Sequence, residues 1–169
     1  MKLIRIGDII MAEQKFLQEA QITFQTLCQT LEHNEWHYSK DEEKFTIECG
    51  ARGDDLPMEL TVKVDVDRRL VMLFSAIPFV VQEDKRLDAA IAVSAINNML
   101  VDGCFDYNVA TGHIFYRMTN SYIESTLSEE VFAYMLYCSC QIIDEYNDKF
   151  LMLAKGMISI QQFLASLDN

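Results

Sequence analysis

The chain is short of the features that mark several kinds of protein. Only two prolines occur in 169 residues, and half of the residues are hydrophobic. That is not the composition of a disordered polymer. No apolar run approaches the ~20 residues that a bilayer-spanning helix requires. Basic residues are scarce: 14 Lys and Arg stand against 26 Asp and Glu, a net charge of -12. Phosphate binding needs a basic face and an anionic membrane attracts one, so no nucleic acid and no membrane is expected as a partner. The one concentration of positive charge, Asp67-Arg68-Arg69, reads as a turn. The start, "MKLIRIGDIIMAEQKF", has Asp8 interrupting a very short apolar stretch and no small-residue cleavage site after it. It reads as mature chain rather than a signal peptide.

Catalytic motifs are also missing. There is no G-x-S-x-G, Walker loop or G-x-G-x-x-G. Of the three histidines, His33 and His37 have the i, i+4 spacing that could bind zinc on a helix. The helical pattern fails at Asn34, however, so no metal and no cofactor is expected. The run Asp41-Glu42-Glu43 reads as a solvated loop and His113 as an exposed hairpin tip. The five cysteines, Cys28, Cys49, Cys104, Cys138 and Cys140, are odd in number and scattered, which argues against a disulfide framework. Cys138 and Cys140 lie within a helical pattern, where residues two apart point away from each other. All five are expected to be reduced, buried thiols of a cytoplasmic protein. Met72, Met99, Met118 and Met135 are expected to fill the core.

What remains is a well-punctuated α+β chain, long enough for one domain, 1–169. From Ala12 to about His33, Phe16, Leu17, Ala20, Phe24, Leu27, Cys28 and Leu31 recur at helical spacing. "HNEWHYSKDEE" breaks this helix, with Trp36 and Tyr38 folding back on the core. Three strands follow. "KFTIECGAR" alternates, and "PMELTVKVDV" alternates cleanly, as a half-buried antiparallel strand does. "LVMLFSAIPFVV" is apolar on both faces, which implies cover on both. A second helix, about Glu83 to Leu100, presents Leu87, Ile91, Ser94, Ala95 and Asn98 on one face. Gly103 is placed to end it or the loop that follows. "CFDYNV" and "HIFYRMTN" then form a hairpin through Gly112. Asp106 and Arg117 are a possible cross-strand pair. Asn97 and Asn98 sit where their amides can bond loop backbone and brace the turn through "VDG". A long helix runs from about Glu129 to Ala154, capped by Thr126 with Glu129 or by Ser128. Its apolar stripe is Val131, Met135, Cys138, Ile142, Tyr146, Phe150 and Leu153, and Asn147-Asp148 is a candidate kink. Gly156 ends it, and Ser159 starts a short terminal helix. The order is α-β-β-β-α-β-β-α with a C-terminal helical extension at 156–169. It predicts a two-layer domain with a five-stranded antiparallel sheet packed by helices.

Several of these pieces, in this order, resemble the YbjN-like family of bacterial sensory transduction regulators. They are Trp36 and Tyr38 after the first helix, "SAIPFVV" (Ser75 to Val81), "INNML" (Ile96 to Leu100), and the hairpin from Gly103 to Arg117. The resemblance spans about Ala12 to Lys155. It implies the fold of the type III secretion chaperones and a non-enzymatic, cytoplasmic role: a regulator or chaperone-like adaptor that binds a protein partner, by strand addition at a sheet edge or in a groove beside helix one. A dedicated secretion chaperone and a small-molecule sensor are the alternatives. The doubly apolar third strand also predicts a homodimer. Only one of its faces can meet the chain's own helices, so the other needs a second subunit or the terminal helix over it. Val71, Leu73, Ile77, Phe163 and Leu164 are the candidate partner or dimer surface. Which face of the strand points outward depends on the turn at Asp67–Arg69. A two- or four-residue loop pairs Val64 with Val71, and a three-residue loop pairs Val64 with Met72.

Overall fold

The structure, a computed structural model of the chain, describes residues 6–167. The reading of the first residues as mature chain falls in part on residues 1–5, outside the described residues, as does the end of the terminal extension, 168–169. The elements are α1 (Ile6–His33), β1 (Tyr38–Asp41), β2 (Thr46–Arg52), β3 (Pro57–Asp65), β4 (Leu70–Val80), α2 (Arg86–Asn97), β5 (Cys104–Asn108), β6 (His113–Ser121), α3 (Glu129–Ala154) and α4 (Ile160–Ala165). A single 3-10 turn, Glu83–Lys85, leads into α2. The strands form one antiparallel sheet in the order β1-β2-β3-β4-β6-β5. The two-layer α+β arrangement is as expected, but the sheet has six strands rather than five. The extra strand, β1, lies in the stretch read as a loop. It is only Tyr-Ser-Lys-Asp, too short and polar for a periodic signal. It is held by a tight hairpin in which the Asp41 carboxylate accepts the N–H groups of Glu43 and Lys44 at 3.1 and 3.0 Å.

Register decides what each strand buries. Val64 pairs with Val71 across the β3–β4 turn, so the loop holds four residues, 66–69. Arg69 takes a left-handed φ of 53° there, and the Asp65 carboxylate accepts the N–H of Arg68 at 2.9 Å. Val71, Leu73, Ser75 and Ile77 therefore point to the helices, in line with Met58, Leu60, Val62 and Val64 of β3. Leu70, Met72, Phe74 and Ala76 point the other way.

The helices cover one face of the sheet. α1 buries Ala20, Phe24, Leu27 and Leu31, while Leu17 is exposed. α3 is capped by Ser128, whose hydroxyl accepts the N–H of Val131 at 3.4 Å, and runs unbroken through Asn147-Asp148. Met135, Tyr146, Phe150 and Leu153 of the expected stripe are buried, but in the first half Phe132, Leu136, Ser139 and Ile143 lie inside in place of Val131, Cys138 and Ile142. α2 departs further. It buries Ala89, Ala92, Val93 and Ile96 and exposes Leu87 and Ile91. Small side chains let its backbone lie close to its neighbours, and this outweighs the larger transfer energy of Leu and Ile. α4 opens with a reciprocal Ser159–Gln162 capping box and drives Phe163 fully into the core, 5.8 Å from the Phe150 ring. Burying such a side chain contributes about 2–3 kcal/mol. Met118 and Met135 are core residues, whereas Met72 is half-buried and Met99 half-exposed. Cys28 and Cys49 are buried, but Cys104, Cys138 and Cys140 are only partly so, and all five are free thiols.

Candidate functional site

The two edges of the sheet are where backbone groups stay available, and they differ. At β5, the side-chain amide of Asn97 donates to the Phe105 carbonyl at 2.8 Å, and the Phe105 N–H donates to the Asn97 carbonyl oxygen at 2.8 Å. One carboxamide thus takes the place of a neighbouring strand at Phe105. Asn97 does brace backbone, but its target is the strand beyond the "VDG" turn, and the Asn98 side chain stays exposed. Gly103 makes this junction possible. Its φ is 69°, and a Cβ there would lie 2.2 Å from the Tyr116 hydroxyl oxygen. That hydroxyl donates to the Asp102 carbonyl at 3.3 Å. On the outer face of the hairpin, Arg117 Nε donates to Asp106 Oδ2 at 2.7 Å, the expected cross-strand pair.

At β1 the edge is open. The N–H of Val64 donates to the Phe45 carbonyl at 3.0 Å, so residues 45 and 64 are a hydrogen-bonded antiparallel pair. Bonding alternates along a strand. Ile47 and Cys49 therefore bond toward β3, while Thr46 and Glu48 bond toward β1. Their partners there are Asp41 and Ser39, which leaves Tyr38 and Lys40 with N–H and C=O groups directed out of the sheet. No described element pairs with them. Lys40 lines a cleft of about 460 Å³ between α1 and the β1–β2 hairpin. One wall is the α1 face formed by Gln21, Phe24, Gln25, Cys28, Gln29 and Glu32, and the other is Lys40, Glu42 and Phe45. Phe24 and Phe45 meet edge to face at 5.5 Å. The Tyr38 hydroxyl donates to Glu32 at 2.7 Å, and Lys40 Nζ reaches Glu42 at 2.7 Å. The cleft thus combines an apolar floor, a glutamine-rich wall and a free strand edge.

Cys28 lies in the cleft lining, and Cys49 and Cys140 lie outside it. Burial pushes the Cys28 thiol above its ordinary pKa. Burial, and secondarily Cys140, raises Cys49 to about 12. Burial, and then Asp144, raises Cys140 to about 11. Thiols held protonated at neutral pH are poor nucleophiles. His33 Nδ1 lies 2.7 Å from the Glu129 carboxylate, joining the end of α1 to the start of α3. Among the described residues no group of three or more His, Cys, Asp or Glu side chains is placed to hold a metal. No helix among them is long and apolar enough to cross a membrane.

The expected contact residues lie elsewhere. Val71, Leu73 and Phe163 are fully buried and Ile77 is 3 % exposed, all within this chain's own core, and Leu164 is half-buried against it. The four-residue β3–β4 loop turns the odd-numbered positions of β4 inward, so the face left open is the even-numbered one. The β1 edge itself was missed, because four polar residues carry no alternation. The hint in the sequence was Asp41 followed by a short charged turn and the alternating "FTIEC", which is hairpin grammar with β1 as its first arm.

Comparisons with known proteins agree with this fold. The solved structures that match include YbjN from E. coli, described as a putative transcription regulator. The two superpose with a TM-score of 0.55 at 16 % sequence identity, over 73 % of this chain and 90 % of that one. At that identity the likeness is one of fold. No curated protein sequence matches. Residues 23–152 match the family model YbjN, described as "Putative bacterial sensory transduction regulator". That span runs from the middle of α1 to the last turn of α3 and includes both sheet edges, the β4 strip and Asn97; the chain belongs to the YbjN family.

Proposed function

We propose that this protein is a non-enzymatic regulator or chaperone-like adaptor of the YbjN type, and that it binds an extended segment of a partner protein along the β1 edge, beside α1. The observation that carries this reading is the contrast between a β5 edge occupied at Phe105 by Asn97 and a β1 edge with no such occupant, where Lys40 lines a cleft beside α1. A segment added there gains backbone hydrogen bonds from Tyr38 and Lys40 and lays alternate side chains against Phe24 and Phe45. A net charge of -12 disfavours direct contact with DNA, so regulation would run through proteins, in the cytoplasm. A dedicated secretion chaperone would use the same edge, and the identity of the captured partner separates the two roles.

The test is affinity capture from native lysate with wild type and Lys40→Pro in parallel. Proline is tolerated on an edge strand where its missing N–H faces outward, so the variant removes the donor while keeping the fold. A partner held by wild type and lost by Lys40→Pro supports the reading. A partner held equally by both refutes strand addition. A second reading, a small-molecule sensor, draws on the cleft volume, which falls in the range of ligand pockets. A ligand that binds purified wild type and Lys40→Pro alike would favour it.

A further inference from the structure

β4 is apolar on both faces, and this chain covers one of them. Leu70, Met72, Phe74 and Ala76 project from the uncovered face, and Phe115 of β6 lies opposite Ala76, 37 % exposed. At ~3.4 Å per residue the strip is about 20 Å long. The buried positions of the other strands all share the helix-covered face, so no described element lies over the strip. An apolar strip of this length on a sheet face calls for cover.

Charge indicates what covers it. The chain carries -12, so two copies repel across most of their surfaces. On the open face, Asp41, Glu48, Glu59, Asp65 and Asp106 stand against Arg52, Lys63 and Arg117, two charges short of neutral, and Asp41 is paired with Lys44 of the adjoining turn at 2.9 Å. Arg117 and Asp106 also neutralise each other directly, at 2.7 Å. The face that carries this strip is therefore one where a like-charged copy meets little repulsion. The outer face of α2 is the competing surface. Its apolar pair Leu87 and Ile91 is interrupted one turn on by exposed Ser94 and Asn98, so it offers no strip of comparable length.

We propose that a second copy of this chain docks face to face on the open side of the sheet, covering the β4 strip centred on Met72 and Phe74. Six strands ~4.8 Å apart and ~20 Å long give a projected footprint of about 500 Å². Side-chain relief raises the accessible area toward the ~800 Å² per partner of a standard interface. The contact is isologous, so each copy supplies the same near-neutral surface. It leaves the β1 edge untouched and stands whether or not a partner segment docks there.

Sedimentation equilibrium of the full chain at micromolar concentration reads the outcome. The expected mass is twice the 19.5 kDa of one chain. Met72→Glu and Phe74→Glu are each expected to weaken association about 100-fold, as substitutions at the centre of an interface do, with unchanged circular dichroism. Lys63→Glu, at an exposed position outside the core, guards against misfolding in those two. It makes the face more acidic and is expected to weaken the dimer about tenfold at low salt, with recovery at high salt. A monomer mass throughout would overturn the proposal. So would a dimer indifferent to all three variants, or one broken by Leu87→Glu instead.

Discussion

At one edge of the sheet, Asn97 holds both the N–H and the C=O of Phe105 at 2.8 Å. At the other, Tyr38 and Lys40 turn the same two kinds of group out of the sheet, and Lys40 lines a cleft beside α1. Unpaired strand edges invite unwanted pairing, and proteins usually blunt them. Here the β5 side is closed at Phe105 by a side chain imitating a strand. The β1 side is blunted more lightly. It is four residues long and carries a lysine, both of which discourage open-ended sheet growth. Neither prevents one short segment from settling between β1 and α1. On the proposed reading, the β1 edge is restricted to one short segment without being sealed.

If the β5 side is the closed one, damage there should cost the most. Gly103→Ala forces a left-handed residue and brings Cβ to 2.2 Å from the Tyr116 hydroxyl. A loss of roughly 3 kcal/mol is expected in urea denaturation. Asn97→Ala strands the two Phe105 groups and should cost about 2 kcal/mol, whereas Asn98→Ala should stay within about 0.5 kcal/mol. Equal effects at the two asparagines would remove Asn97 from its sealing role.

Alkaline pH probes Tyr116 on that side and Tyr122 at the β3–β4 turn. Burial raises Tyr116 to about 12, and Tyr122, whose hydroxyl donates to the Asp65 carbonyl at 3.0 Å, also to about 12. An unfolded tyrosine ionises near ~10, so above that pH the unfolded state binds fewer protons than the folded one. Stability from these groups is then fully present below pH ~10 and is lost as pH rises toward the folded values. Denaturant midpoints measured across this range should fall, and Tyr116→Phe should flatten part of the fall. The smallest effect belongs to the open edge. Lys40→Pro should change stability by no more than about 0.5 kcal/mol. A cost as large as that of Asn97→Ala would mean that the two edges do not differ as described.

Much of this architecture was legible in the sequence where local signals were strong. The end of α3 followed from Gly156 and β3 from its strict alternation, while the start of α3 lay open between Thr126 with Glu129 and Ser128, and Ser128 is the cap. Asn97 was recognisable as an amide placed to bond backbone, although the strand edge it closes is a tertiary feature. What escaped depended on contacts distant in sequence. β1 is a strand because β2 pairs with it, and without β1 neither the open edge nor the cleft exists. α2 turns its alanines inward because close packing requires small residues there, and no periodicity reveals which face is crowded. The inward face of β4 hung on one residue of loop length, and the four-residue turn with Arg69 at positive φ placed Val71, Leu73 and Ile77 inside.

Residue-resolved amide hydrogen exchange on the native protein tests the contrast between the edges most directly. Exchange protection reports which N–H groups are held and how strongly. The Phe105 amide should be protected nearly as well as the central strands, and the Lys40 amide should exchange orders of magnitude faster. A Lys40 amide protected as well as Phe105, or a Phe105 amide as fast as Lys40, would contradict an open β1 edge set against a sealed β5 edge.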